Sequence, residues 1–266
     1  MRINISLESA KDEYKLPINY LYPLSAVVYK IFATGSESIA KWLHEKGFSD
    51  KSGRNLKLFN FSNLVFGKYQ INPDFIRCMG SCSFIFSSPI ETELIQTFIN
   101  GIINLQSFQI GNKKYQSEFR ISGIQLEKPP QFDDEQIFKT KSPISVSTII
   151  EIKGEKKIYY YRPEDSGFTE AIQKNLIKKY EMIYQKTYNG TIEVSIPKGA
   201  TPKSKLITIK EGSIEETKIK AFLTTISIKA EPDIMKTAYY CGLGERNSLG
   251  FGMLELFNLN KLEVKK

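Results

Sequence analysis

A single histidine, His44, occurs in the 266 residues, and this scarcity excludes more functions than any other feature of the sequence. Zinc and iron sites that need several histidine ligands cannot be assembled from one imidazole. The His-Glu-x-x-His, G-x-S-x-G and G-x-x-x-x-G-K-[S/T] patterns are also absent, and these are typical of zinc proteases, serine hydrolases and P-loop NTPases. The sequence therefore excludes histidine-type metal hydrolases and P-loop NTPases, disfavours serine hydrolases, and predicts no metal and no other cofactor.

Cysteine is nearly as rare, with Cys78, Cys82 and Cys241. The first two lack the C-x-x-C spacing of a zinc ribbon, and an odd number of cysteines in a chain of this length is typical of a reduced, intracellular protein. No apolar run approaches the ~18 residues of a membrane span, and residues 1–9 contain no continuous apolar stretch like that of a signal peptide. We therefore expect a cytoplasmic protein with no membrane partner.

Arginine supplies only six of the 37 basic residues, and lysine supplies the other 31. The net charge of +8 is weak evidence for a nucleic-acid partner, because lysine-rich compositions also accompany hot habitats. Two local clusters are more informative: residues 41–57 hold five basic and two acidic side chains, and residues 198–220 hold six and three. With 41% hydrophobic and 12% aromatic residues, the chain can build a full core.

Two prolines followed by three acids mark an exposed linker at residues 127–135 and divide the chain into similar halves. Apolar periodicity predicts the elements of the first half: a strand at 2–7, a helix through 24–32 that ends at Gly35, a short helix capped by Ser36 or Ser38, strands at 56–64 and 75–87, a helix at 91–102, and strands at 107–110 and 118–126. This order is that of the ferredoxin-like βαββαβ unit.

The second half repeats this order loosely. Its predicted elements are strands at 144–152 and 157–161, a helix at 163–186, strands at 191–196, 205–210 and 219–228, a short helix at 233–240 and a last strand at 252–257. The sequence thus predicts an α+β fold with two tandem ferredoxin-like (RRM-like) βαββαβ domains, at residues 1–128 and 138–266. A glycine-rich loop at 242–252 precedes the last strand.

That glycine-rich loop is the most informative segment of the sequence. Its glycines are Gly242, Gly244, Gly250 and Gly252, and the polar residues between them include Arg246, Asn247 and Ser248. A Rossmann loop is excluded, because the spacing is wrong and the order is helix, loop, strand. Either the backbone amides of the loop approach a polyanion, or the loop is a tight connection packed against the sheet. The glycines alone favour the second interpretation.

The residues between the glycines favour the interpretation that the backbone amides of the loop approach a polyanion. Residues 242–253, Gly-Leu-Gly-Glu-Arg-Asn-Ser-Leu-Gly-Phe-Gly-Met, resemble the C-terminal signature of the Cas6 family. These are CRISPR-associated endoribonucleases of the RAMP superfamily that cut the precursor transcript within each repeat. Residues 20–32, 42–45, 57–62 and 141–146 are supporting matches, so the resemblance spans nearly the whole chain. It implies a double ferredoxin-like fold and CRISPR repeat RNA as the partner.

The resemblance also implies a chemistry without metal. The 2′-hydroxyl upstream of the scissile bond attacks the phosphorus and leaves a 2′,3′-cyclic phosphate and a 5′-hydroxyl. His44 matches the family's catalytic histidine, Tyr29 its active-site tyrosine, and Lys57 a lysine near the phosphate. Other roles stay open: His44 as a cap at a helix end, Tyr29 as packing, and Lys51 or Arg54 in place of Lys57. Which of His44 and Tyr29 is acid and which is base is also open.

RNA contacts are predicted for Lys51 and Arg54 and for the glycines and polar residues of the 242–252 loop. The three tyrosines at 159–161 either stack on bases or pack within a strand. Further expected partners are other subunits of a CRISPR effector complex and a second copy of the chain. The main alternative function is a repeat-RNA-binding subunit without cutting activity, and a more distant one is an unrelated RNA-binding protein of the double ferredoxin-like kind.

Overall fold

The computed structural model describes residues 1–49, 53 and 55–257, and its two main sheets are antiparallel. The first half contains, in order, β1 (Arg2–Ser9), β2 (Glu13–Pro17), α1 (Leu21–Gly35), α2 (Glu37–Glu45), β3 (Phe48–Ser49), β4 (Asn55–Leu56), β5 (Asn60–Phe61), β6 (Val65–Ile71), β7 (Phe75–Ser87), a π-helical turn (Glu91–Ile95), α3 (Gln96–Asn104), β8 (Phe108–Gly111) and β9 (Gln116–Leu126). The second half contains β10 (Glu135–Thr140), β11 (Ser147–Ile152), β12 (Glu155–Tyr160), α4 (Ser166–Tyr184), β13 (Glu193–Ser195), β14 (Lys203–Ile209), β15 (Thr217–Leu223), β16 (Thr225–Lys229), α5 (Pro232–Cys241), a 3₁₀ turn (Asn247–Leu249) and β17 (Leu254–Leu256).

The long strand β7 organises the first sheet. It pairs with β1 and then β2 along one side, and with β5 and β6 along the other. On the far side of β1 lies β9, which pairs with β8. The order β6-β7-β1-β9 places the second, third, first and fourth strands of the unit side by side. This is the ferredoxin-like arrangement that the sequence predicts.

The second sheet has the order β13-β16-β10-β17, which is again second, third, first and fourth. The α+β class and the two tandem ferredoxin-like sheets are therefore confirmed. The first strand of this sheet begins at Glu135, ahead of the predicted start of the second domain at 138. The predicted strand 219–228 is wrong as a single element, since β15 pairs with β14 whereas β16 joins the main sheet. The break falls at Thr224, whose backbone amide bonds to the Thr140 hydroxyl at 2.9 Å.

Two helices at the start of the chain prepare the candidate site. The apolar face of α1 is buried, with Val28 and Phe32 fully covered. Ser36 caps the next helix, α2, because its hydroxyl accepts a bond from the Ile39 amide. Gly47 follows α2 with φ +65°, so the chain reverses directly after the last turn of the helix. His44 is thereby placed in that last turn.

Side chains of the first half bind the end of α5 in the second half. Arg2 is 2% exposed, donates to the Tyr239 carbonyl and stacks 3.2 Å from the centroid of the Tyr239 ring. Burial lowers the pKa of Arg2 to about 10, so it remains charged at neutral pH. The Ser87 hydroxyl donates to the Tyr240 carbonyl at 2.9 Å. These bonds fix the helix that leads directly into the glycine loop against β1 and β7.

The three cysteines, Cys78, Cys82 and Cys241, are free and buried. Across residues 1–49, 53 and 55–257, no helix has the length and apolar character needed to cross a membrane. The same described ranges contain no group of three His, Cys, Asp or Glu side chains arranged to hold a metal ion.

Candidate active site

Tyr29 and His44 project from the neighbouring helices α1 and α2 and lie side by side. Their ring centroids are 6.2 Å apart, with the ring planes at 79°. Tyr29 also packs edge-on against Phe59, with 5.9 Å between centroids. Burial raises the pKa of Tyr29 above its ordinary value, an effect that a hydrogen bond with Ser248 partly opposes. Tyr29 therefore keeps its proton at neutral pH, whereas His44 is open to solvent.

Lys57, between β4 and β5, reaches back to the end of α2. Its Nζ donates to the His44 carbonyl at 3.2 Å, and partial burial lowers the pKa of Lys57. A Cβ on Gly47 would lie 2.9 Å from Lys57 Cδ, so the glycine makes room for the lysine stem. The amides of Lys46 and Gly47 both bond to the Trp42 carbonyl. Together with the Lys57 bond, these bonds satisfy the carbonyls of Trp42 and His44 at the helix end without using the imidazole of His44.

The glycines of the loop are buried and all adopt positive φ: Gly242 (79°), Gly244 (67°), Gly250 (85°) and Gly252 (78°). A Cβ on Gly252 would lie 1.9 Å from the Leu243 carbonyl oxygen, and one on Gly250 would lie 2.5 Å from the Phe61 ring. These close approaches support the interpretation of the glycines as a tight, packed connection. The partly exposed section of the loop is 245–249. The RNA contacts predicted for the four glycines and for Arg246, Asn247 and Ser248 stay predictions.

Two of the polar residues between the glycines have different roles in the geometry of the loop. Asn247 Nδ2 donates to the Leu243 carbonyl at 3.1 Å and to the Phe251 carbonyl at 2.9 Å, so this amide group holds the loop together. Arg246 has φ +57° and directly precedes the turn Asn247–Leu249. A left-handed residue followed by a helical turn directs successive backbone amides to one side, which is a geometry that binds anions.

A cavity of about 280 Å³ lies between the glycine loop and the segment that carries Lys57. Its polar lining residues are Asn55, Lys57, Asn175, Lys179, Glu245, Arg246, Asn247 and Ser248. Three basic side chains against one carboxylate make this lining positive, although Arg246 and Glu245 pair at 3.0 Å. The structure thus brings Tyr29, His44, Lys57 and the accessible part of the loop together. The predicted residues Lys51 and Arg54 lie outside the described residues.

A second cavity, of about 580 Å³, adjoins the first and extends the site along α4. The two cavities share Asn55, Leu56, Asn175 and Glu245 in their linings. Tyr161 lines the larger cavity, whereas the Tyr159 hydroxyl donates to Asp165 at 2.8 Å. Of these two tyrosines, Tyr161 is therefore the better placed to stack on an RNA base, one of the two roles that the sequence leaves open for the tyrosines at 159–161.

Sequence reasoning missed Lys179. This residue of α4 is 2% exposed, and its Nζ donates to the carbonyls of Gly242 at 2.8 Å and Gly244 at 2.9 Å. Burial lowers the pKa of Lys179 to about 8. A signal was present, since Ile172, Leu176 and Lys179 follow the spacing of one helix face. A lysine on an apolar stripe indicates a buried cation with a specific partner.

This buried ammonium should give the protein a distinctive stability profile. Between the folded pKa of about 8 and the ordinary 10.5, the unfolded chain binds more protons at Lys179, so stability increases with pH. The free energy of unfolding of the wild type, relative to Lys179→Met, is expected to rise by about 3 kcal/mol across this range. Urea titrations of both proteins from pH 7 to 10.5 measure it. A constant difference would mean that burial does not lower the pKa of Lys179.

The family models match both halves. The model described as "CRISPR-associated protein Cas6, N-terminal" matches residues 15–121. The model described as "CRISPR associated protein Cas6, C-terminal" matches residues 127–256, which include the glycine loop. The chain belongs to the Cas6 family. The resemblance read from the sequence is therefore confirmed.

Individual Cas6 proteins are similar over almost the full length. "CRISPR-associated endoribonuclease Cas6 1" of Methanocaldococcus jannaschii is 29% identical over 255 residues, which cover 96% of this chain and 92% of the relative. "CRISPR-associated endoribonuclease Cas6" of Pyrococcus furiosus is 27% identical over 260 residues, with coverages of 96% and 90%. A solved structure described as "CRISPR associated protein Cas6" has 29% identity and a TM-score of 0.78, and the match covers 97% of this chain and 99% of that one.

Proposed function

We propose that this Cas6 family member is an endoribonuclease that cleaves CRISPR precursor RNA within its repeats to give guide RNA. The observation that carries the proposal is the grouping of Tyr29, His44 and Lys57 beside the loop: the Tyr29 and His44 rings are in contact, Lys57 bonds to the His44 carbonyl, and Lys57 lines one positive cavity together with the loop. The catalytic groups come from the first half of the chain and the loop from the second. RNA bound between the halves would therefore meet all of them at once.

The reaction needs three contributions. A base takes the proton of the 2′-hydroxyl, whose oxygen then bonds to phosphorus. An acid gives a proton to the 5′ oxygen as the P–O5′ bond breaks. Positive charge stabilises the crowded phosphorane between these steps. The products are a 2′,3′-cyclic phosphate and a 5′-hydroxyl, and no metal takes part.

The environments of the side chains suggest how these tasks are divided. Tyr29 has a raised pKa, so it is unsuited to act as a base at neutral pH and serves as a hydrogen-bond or proton donor. His44 is exposed and lies against Tyr29, and histidine is the side chain that most often serves as a general base, so we assign it the removal of the 2′-hydroxyl proton. Lys57 and Arg246 line the cavity and supply the positive charge for the phosphate.

A cleavage assay in excess EDTA tests the scheme. We expect the protein to cut a labelled repeat RNA in chelator and to leave a 2′,3′-cyclic phosphate, because the scheme uses only side chains of the protein and the 2′-hydroxyl of the RNA. A 2′-deoxy sugar upstream of the cut is expected to block the reaction, since the nucleophile is then missing. The same RNA with a deoxy sugar several nucleotides away is the control.

Three outcomes would contradict the proposal in different ways. Loss of cutting in EDTA would contradict the metal-free mechanism, and cutting of the 2′-deoxy RNA would contradict the identity of the nucleophile. Tight, salt-sensitive binding without any cleavage would instead support the alternative of a repeat-binding subunit. Association with effector subunits and with a second copy of the chain stay predictions.

A further inference from the structure

Lys179 is a buried cation beneath the glycine loop, and the proposed chemistry does not use it. Its ammonium donates to two main-chain carbonyls, those of Gly242 and Gly244, and has no paired carboxylate among its hydrogen-bond partners in the described part of the chain. Removing an ammonium from water costs several kcal/mol unless it is well compensated. An apolar residue would serve the packing of α4 more simply. The arrangement is best explained by what the ammonium holds in place.

The held segment begins at the end of α5. The last carbonyls of a helix have no partner within it, and the helix dipole makes this end negative and favourable for cations. Arg2 donates a hydrogen bond to the Tyr239 carbonyl, and Ser87 donates one to the Tyr240 carbonyl. Lys179 donates to the carbonyl of Gly242, just past the helix. Of these three donors, Lys179 is the one that also binds within the loop, at the carbonyl of Gly244.

We propose that Lys179 is a positioning residue of the active site: by bridging the carbonyls of Gly242 and Gly244, it holds the loop so that Arg246 and Ser248 meet the cavity beside Tyr29. This inference rests on the proposed endoribonuclease function. The Gly244 carbonyl that Lys179 binds is separated from Arg246 by the single residue Glu245, so little slack remains between them. Lys179 thus acts through the loop.

The proposal predicts that loss of Lys179 changes the cleavage rate much more than the affinity for RNA. A displacement of about 1 Å in groups that position a substrate can lower a rate about 10²-fold. RNA affinity depends on many separate phosphate contacts, so it depends little on the exact position of one loop. A side chain needed only for folding would instead reduce the amount of native protein, and both quantities would change together.

The test is Lys179→Met, which keeps the length of the stem and removes the ammonium. We expect a folded protein whose single-turnover cleavage rate is about 10- to 100-fold lower, with a dissociation constant for repeat RNA within about threefold of wild type. Amide hydrogen exchange at residues 243–249 should be faster. The matched control is Lys236→Met on α5, where the side chain is exposed and paired with Asp233 at 3.1 Å; it should leave rate, affinity and exchange unchanged.

Wild-type cleavage and unchanged exchange in Lys179→Met would overturn the inference and leave the proposed function intact. If Lys179→Met does not fold, Lys179→Gln, which keeps a donor on a shorter side chain, takes its place, and its cleavage rate and its exchange at residues 243–249 are expected to lie between those of the wild type and those given for Lys179→Met. If neither variant folds, Lys179 serves the second sheet as a whole and the inference is wrong. If the wild type itself does not cleave, the proposed function fails, and the exchange comparison still decides whether Lys179 holds the loop.

Discussion

Replacing His44 with alanine is expected to lower the cleavage rate of repeat RNA by about 10²–10⁴-fold, the usual effect of losing a general acid or base. The imidazole is exposed, and the carbonyl of His44 is bonded by Lys57, so removal of the ring leaves the end of α2 in place. RNA affinity should therefore stay within about threefold of wild type. Single-turnover cleavage and filter binding on the same preparation measure both quantities.

Glu45→Ala is the matched control for this experiment, because Glu45 is the next residue of α2 and is also exposed. It should cleave at the wild-type rate. If His44→Ala also cleaves at that rate, His44 is not catalytic and the assignment of the base is wrong. If His44→Ala loses binding and folding together, His44 has a structural role instead.

Gly252→Ala is expected to disrupt the loop and to abolish cleavage together with part of the stability. The residue has φ +78°, which costs an L-residue about 1–2 kcal/mol. Its new Cβ would also lie 1.9 Å from the Leu243 carbonyl oxygen. Leu243 cannot easily move away, because its amide bonds to the Gly252 carbonyl at 2.9 Å. We expect the free energy of unfolding to fall by about 3–5 kcal/mol, measured by urea titration.

Gly154→Ala separates the cost of positive φ from the cost of the clash with the Leu243 carbonyl oxygen. Gly154, in the turn between β11 and β12, has φ +79°, close to that of Gly252, but a Cβ on Gly154 would meet no atom within 4 Å. This variant should therefore lose only about 1–2 kcal/mol and keep full activity. Equal losses in the two variants would show that the clash with Leu243 is relieved and that the loop tolerates a side chain.

The sequence predicts most of the sheet elements where local patterning is strong. The strand predicted at 75–87 coincides with β7, because its buried and exposed residues alternate over much of its length. β6 was missed, since nearly all its residues are exposed and it contains Gly67, so it has no apolar period. The predicted strand at 56–64 is interrupted because Leu58 has φ +50°, which no local pattern reveals.

The residues of the candidate site also divide into those that the sequence predicts and one that it misses. Tyr29, His44 and Lys57 were proposed from the family resemblance. Their distances follow from the packing of two helices against each other and against the segment between β4 and β5, which local patterns do not give. Lys179 was missed because its partners lie more than 60 residues away in sequence and are main-chain carbonyls. Composition and periodicity carry no information about such bonds.

The hydrogen bonds that fix α5 and the glycine loop determine which positions are expected to tolerate substitution. Arg2, Ser87 and Lys179 are side-chain donors from three different elements, and their acceptors are backbone carbonyls at 239, 240, 242 and 244. A substitution at 240 leaves its carbonyl in place, whereas losing a donor removes a bond outright. Substitutions are therefore expected to be tolerated better at 240 than at the three distant donors, whereas 242 and 244 stay restricted because both glycines have positive φ.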